Sequence, residues 1–142
     1  MELIQVPGVT GYYDTNYQGK GEYAVESLKD KDFVFVHVEA PDEAGHNGDM
    51  RAKVTAIENF DKFVVGAVWA YLKDIKDYRL MVLSDHATPV SVKTHVTDPT
   101  PFVMAGKGIE HNGFDAFSEN NAILSKIQYK TGSSLTEAFI KG

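Results

Sequence analysis

The chain has 142 residues, 43% hydrophobic and 24% charged, the balance of an ordinary globular protein and enough for one domain over residues 1–142. Its net charge of -6 and pI near 5.3 exclude the basic footprint of a nucleic-acid binder, and the absence of cysteine excludes disulfides and zinc–thiolate sites. No apolar run is long enough to span a membrane and no signal-peptide pattern is present, so the expected location is cytoplasmic.

Residues 1–19 are rich in Gly, Tyr and Asn and read as an irregular lead-in. A short helix is expected from Gly21 to about Asp30, with Tyr23, Val25 and Leu28 facing inward. Residues 33–38 (Phe-Val-Phe-Val-His-Val) are too short and too β-branched for a buried helix and read as a central strand. From about Gly48 to Lys73 runs the clearest amphipathic helix. Val54, Ile57, Val64, Val65, Val68 and Leu72 follow the helical period, and Asp61 interrupts the stripe. Gly66 costs this helix about 1 kcal/mol of propensity relative to Ala.

Residues 79–84 read as a second buried strand ending at Asp85. Strand, helix and strand imply a right-handed βαβ unit with parallel strands. Pro99 and Pro101 bracket the entry to a third strand near 102–105, closed by Gly106 and Gly108. A last helix is expected from Ser134, which has capping-box spacing to Glu137. Residues 109–132 carry no clear signal. The resulting expectation is an α/β fold with a mostly parallel sheet flanked by helices.

Three clusters of metal-binding side chains follow these strands: Asp42-Glu43-Ala44-Gly45-His46, Ser84-Asp85-His86 and Thr94-His95. In open α/β sheets ligands gather beyond the carboxyl ends of strands. Without thiolates, a divalent ion needs carboxylates and neutral imidazoles. Asp42 and His46 are four residues apart, so a loop or first helical turn aims both at one ion. Pro41 fixes the backbone before them, and Gly45 lets the chain bend close. Asp85 and His86 share a site only if the strand has ended, as Ala87-Thr88-Pro89 implies; His95 arrives from the next loop. Five ligands exceed one tetrahedral site and suit a pair of ions bridging a phosphate.

Taken singly, each cluster has a plainer reading. Asp85-His86 alone is more often structural, and Asp42 with His46 could equally be a helix cap and a solvated neighbour. His37 reads as a satisfied core histidine and His111, beside Asn112-Gly113, as an exposed turn residue. Glu39 and Asp49 suit helix N-terminal or supporting roles better than direct ligation. Neither Ser84 nor Thr10 has a base at a recognisable spacing, so no catalytic nucleophile is assigned in this chain.

The run His37-Val38-Glu39-Ala40-Pro41-Asp42-Glu43-Ala44-Gly45-His46, with Asp85-His86-Ala87-Thr88-Pro89 and Thr94-His95, closely resembles the archaeal-type cofactor-independent phosphoglycerate mutases of the alkaline phosphatase superfamily. The opening Pro7-Gly8-Val9-Thr10-Gly11-Tyr12-Tyr13-Asp14-Thr15-Asn16-Tyr17 resembles them too. The resemblance implies two divalent ions (manganese, zinc or cobalt, with magnesium less suited) and phosphate passed between the 2- and 3-hydroxyls of glycerate through a phosphoserine. It implies Asp42, His46 and His95 around one ion, and Asp85 and His86 as half of the other.

The remaining ligands, the serine and the substrate-binding insertion belong to a family portion without counterpart here. The chain therefore resembles the C-terminal part of the family's metal-binding domain, with at most one well-held ion, expected to be inactive alone. Its fold is expected to be incomplete relative to the family, leaving an uncovered sheet edge that invites self-association. A related phosphotransfer enzyme of the proposed homoserine kinase type, a phosphatase, or a non-catalytic interaction module are the alternatives.

Overall fold

Asn16 starts the first helix of the computed structural model, which describes residues 1–141. Its side-chain oxygen accepts from the Gly19 backbone amide at 2.8 Å, while its side-chain Nδ2 donates to the Pro7 carbonyl at 2.9 Å. The cap places α1 at Tyr17–Ser27, four residues earlier than its sequence implies. The inward face is also different. Tyr17, Gly19, Gly21, Ala24 and Ser27 are buried, whereas Tyr23 is exposed and Val25 and Leu28 are half-buried. Small residues face inward because the neighbouring backbone comes so close. A Cβ on Gly21 would lie 2.1 Å from the Phe63 carbonyl oxygen.

The chain forms two compact units, residues 1–74 with 88–96, and residues 75–87 with 97–141. In the first, residues 33–38 are extended and alternate. Val34, Val36 and Val38 are half-buried, while Phe33, Phe35 and His37 are exposed. His37 is therefore an outward residue, not a core histidine. Its ring stacks near Phe35, its Nδ1 lies 3.8 Å from Glu39 Oε1, and its carbonyl accepts from Lys20 Nζ at 2.5 Å. These residues belong to no ladder among the described residues. A β-branched run records a preference for extended backbone, but a strand also needs a partner to hydrogen-bond.

Helix α2 spans Ala40–Asn47 and α3 spans Met50–Asn59, the latter capped by Asp49, whose carboxylate accepts from the Ala52 amide at 2.9 Å. A π-helical turn, Phe60–Val65, leads without a break into α4, Gly66–Leu72. The expected long helix is present, and Val64, Val68 and Leu72 face inward as expected, but the first half of the stripe differs. Val54 and Ile57 are exposed; Ala56, Val64, Val68 and Leu72 are buried and Phe60 half-buried. These five recur every fourth residue, a spacing that drifts by about 40° per step on a helix of 3.6 residues per turn. One wide turn takes up an extra residue and returns the stripe to the core. Asp61 falls on the exposed side. Tyr17, Ala40, Ala56 and Val64 form the centre of this unit, with Tyr13, Val36, Val38, Phe60 and Phe63 packed around them.

In the second unit, β1 (Arg79–Leu83) and β2 (Phe102–Gly106) pair antiparallel, Arg79 opposite Gly106 and Leu83 opposite Phe102. Both strands lie where the sequence puts them, but the ladder is antiparallel, not the parallel pairing read from the βαβ pattern. That pattern presumes that 33–38 and 79–83 are ladder neighbours; the observed partner of β1 is instead the later strand. Helices α5 (Glu119–Ser125) and α6 (Gly132–Lys141) follow. The start of α6 differs from the expected Ser134 cap. Thr131 takes that place: its Oγ1 accepts from the Ser134 amide at 3.2 Å, and its own amide donates to Ser134 Oγ at 3.4 Å. The Arg79 guanidinium ties β1 to α6, donating to the Phe139 and Ile140 carbonyls at 2.8 and 3.1 Å, where a cation suits a helix C-terminus.

Candidate metal centre

Helix α2 carries the first two expected ligands. Pro41 stands in its first turn, and Gly48 closes it in the left-handed conformation (φ 70°). The four-residue spacing stacks Asp42 and His46 on one face, with His46 Nε2 3.3 Å from Asp42 Oδ2. Gly45 lies in regular helix, so it does not bend the chain. Its role is close approach: a Cβ there would lie within 2.4 Å of the Thr88 carbonyl oxygen.

The third expected ligand comes from the segment 88–96. A turn at Pro89, whose carbonyl accepts from the Val92 and Lys93 amides at 3.0 and 2.9 Å, leaves Lys93 in the left-handed conformation (φ 60°). The Lys93 carbonyl then lies 3.1 Å from His46 Nδ1. A carbonyl only accepts, so Nδ1 carries the proton, and a neutral His46 presents the Nε2 lone pair outward. Two residues later, His95 Nε2 sits 3.1 Å from His46 Nε2 and 3.4 Å from Asp42 Oδ1.

One carboxylate and two imidazoles thus turn their donor atoms toward a common point. The two Nε2 atoms are 3.1 Å apart, and each faces a different carboxylate oxygen, His46 Nε2 at 3.3 Å from Oδ2 and His95 Nε2 at 3.4 Å from Oδ1; ligand atoms set tetrahedrally at about 2.0–2.1 Å from an ion lie about 3.3 Å apart. With His95 protonated on Nε2 the pair is an N–H···N hydrogen bond, and with both Nε2 atoms unprotonated a shared cation satisfies both lone pairs. The donor set fits a divalent metal. All three side chains keep some solvent exposure (29% for Asp42, 35% for His46, 50% for His95), which leaves an approach for the ion.

Behind Asp42 lies a residue that its position in the sequence does not mark as functional. Thr88, only 4% exposed, donates its hydroxyl to Asp42 Oδ1. Its carbonyl accepts from Lys53 Nζ at 2.7 Å. Burial pushes the Lys53 amine below the usual lysine range, and attraction to Asp42 opposes that shift. In the sequence Thr88 is visible only within the run Asp85-His86-Ala87-Thr88-Pro89, which marks a strand end and a family likeness but not this contact; Lys53 has no signal.

Asp85 and His86 lie in the second unit, just past the end of β1 at Leu83. The strand stops before them, as the shared-site reading requires. The His86 amide donates to Asp85 Oδ1 at 3.0 Å, and His86 Nε2 is 3.4 Å from Asp85 Oδ2. Ser84 is exposed beside them. Thr10 has a local role: its hydroxyl donates to Asp14 Oδ1 at 2.8 Å and accepts from the Tyr12 amide at 3.2 Å, closing a turn. Asp49 is the α3 cap, and His111 is an exposed residue 3.5 Å from Asp115. Among the described residues no helix is long and apolar enough to cross a membrane.

Residues 1–135 match the family model of the Metalloenzyme superfamily. A 2,3-bisphosphoglycerate-independent phosphoglycerate mutase 2 from Methanothermobacter thermautotrophicus is 50% identical over 119 residues, 84% of this chain and 29% of that protein. The 2,3-bisphosphoglycerate-independent phosphoglycerate mutase of Methanosarcina acetivorans is 42% identical over 143 aligned positions, 99% of this chain and 36% of that protein. A solved structure of a protein from Pyrococcus horikoshii superposes with a TM-score of 0.79 at 34% identity, covering 87% of this chain and 37% of that one. The chain spans about a third of the length of the curated relatives it matches. It belongs to the Metalloenzyme superfamily, with 2,3-bisphosphoglycerate-independent phosphoglycerate mutases as its homologues over that third.

Proposed function

We propose that this chain is the metal-binding C-terminal part of a cofactor-independent phosphoglycerate mutase, an isomerase that moves phosphate between the 2- and 3-hydroxyls of glycerate through a phosphoserine. In this reading Asp42, His46 and His95 hold one divalent ion, while Asp85 and His86 contribute half of a second site. The observation that carries it is that the His46 and His95 Nε2 atoms lie 3.1 Å apart, each within 3.4 Å of one oxygen of the Asp42 carboxylate. The mutase names of relatives 42–50% identical to the chain support the substrate.

When bound, the ions supply positive charge to phosphoryl oxygens. The chain's own residues orient that charge. Helix α2 fixes the spacing of Asp42 and His46, and the Lys93 carbonyl keeps the His46 lone pair on Nε2. One carboxylate and two imidazoles suit zinc, manganese or cobalt better than magnesium, which favours an all-oxygen shell. In the whole protein, residues 33–38 are a central strand of a mostly parallel sheet of the alkaline-phosphatase kind.

Elemental analysis after equilibration with zinc and manganese tests the metal centre. About one tightly held ion per chain is expected, and its loss in His46→Ala. Equal retention by parent and variant would overturn this ligand assignment. These 142 residues assayed alone are expected to give no mutase turnover, because the phosphorylated serine is carried elsewhere in the protein. A rate that copurifies with the chain through successive columns would refute that.

A further inference from the structure

We propose that Thr88 is the positioning residue for the Asp42 carboxylate, with Lys53 holding Thr88 in place; this rests on the reading of Asp42, His46 and His95 as a metal centre. Three restrictions converge on Thr88. Its β-branched side chain has few rotamers, the following Pro89 confines its backbone to extended conformations, and it is 4% exposed. Its two polar ends face two different partners. The carbonyl takes the Lys53 ammonium at 2.7 Å, and the hydroxyl donates to Asp42 Oδ1.

The consequence for Asp42 is geometric. The carboxylate of an aspartate turns freely about its last bond unless an outer partner fixes it. The Thr88 hydroxyl engages Oδ1, so the carboxylate plane is set with Oδ2 3.3 Å from His46 Nε2 and Oδ1 3.4 Å from His95 Nε2. Gly45 is the condition for this arrangement, since a Cβ there would meet the Thr88 carbonyl oxygen at 2.4 Å and its methyl at 2.9 Å. The stretch from Lys53 through Thr88 to Asp42 thus joins α3, the 88–96 segment and α2 at one ligand. Outer partners of this kind change metal affinity by about 10–100-fold when removed.

The test is calorimetric zinc and manganese binding to the full chain and to Thr88→Val and Thr88→Ser, with crystal structures of the metal-free parent and Thr88→Val. Thr88→Val keeps the shape and loses the hydroxyl. It is expected to bind about 10–100-fold more weakly and to show the Asp42 carboxylate rotated, while Thr88→Ser stays within about threefold of the parent. Parent-like affinity in Thr88→Val would show that the hydroxyl does not position Asp42, and equal weakening in Thr88→Ser would assign the effect to packing of the methyl group; either result overturns the proposal.

A parent that binds neither metal would sink the metal-centre reading by itself. The Asp42 orientation in metal-free Thr88→Val then decides the positioning role, and an unmoved carboxylate ends it. Should Thr88→Val fail to fold, Lys53→Met releases Thr88 from its other end. Several-fold weaker binding is expected there, and an unchanged affinity overturns the coupling.

Discussion

Tyr17 shows how a single residue can carry an unmet demand. Its ring is 6% exposed at the centre of the first unit, and its hydroxyl is buried with no hydrogen-bond partner among the described residues. Burial raises the phenol above its ordinary value near 10. The unfolded chain therefore loses this proton first as pH rises, so the contribution to stability is level below about pH 9 and falls above about pH 10. Tyr17→Phe removes both the orphaned hydroxyl and the titration. Urea denaturation is expected to show a gain of about 1 kcal/mol at pH 7 and a shallower alkaline decline. A loss of stability would mean that the hydroxyl has a partner. Residue identity made Asp42, His46 and His95 readable as candidate ligands, because carboxylate and imidazole chemistry is local. Thr88 and Lys53 were not readable, because their roles depend on whom they meet across 35 residues or more of chain.

Among the elements, Gly21 of α1 and Gly66 of α4 have opposite meanings. Gly21 lies where α1 presses on the π turn, and an alanine methyl there would penetrate the Phe63 carbonyl. Gly66 is exposed, its added Cβ meeting only the Asp61 carbonyl oxygen at 3.4 Å. Gly21→Ala is expected to destabilise the fold by about 1–3 kcal/mol through overpacking. Gly66→Ala is expected to stabilise it by up to about 1 kcal/mol through helix propensity. Chemical denaturation of both variants checks the sign; a stabilising Gly21→Ala would deny the close approach. The long helix was legible from its period, but the period could not show the π turn. A run of inward residues every fourth position reads as ordinary helix until the partner surface reveals how far it must stay in phase. At α6, Ser134 and Glu137 had the spacing of a cap, yet Thr131 sits nearer the real helix start and engages Ser134 from both sides.

For the molecule as a whole, apolar side chains left in solvent stand out: Phe33 and Phe35 in the first unit, Ile123 and Leu124 on α5 in the second. Helix α5 buries none of its residues. Residues 33–38 have the composition of a central strand but the surroundings of an exposed one, with only the valine face covered. The relatives are about three times longer than this chain. By itself the sequence located the two paired strands, the long helix and, within a few residues, α1 and α6, because these follow from local periodicity and cap chemistry. The five candidate ligands follow from side-chain chemistry and the family from the resemblance of the His37–His46 run, while α5 carried no signal. Only the tertiary structure decided the antiparallel pairing of 79–83 with 102–106, the outward turn of His37, the π turn and the placing of Thr88 behind Asp42. Pairing, facing and support are properties of two surfaces in contact, and a linear pattern describes one surface at a time.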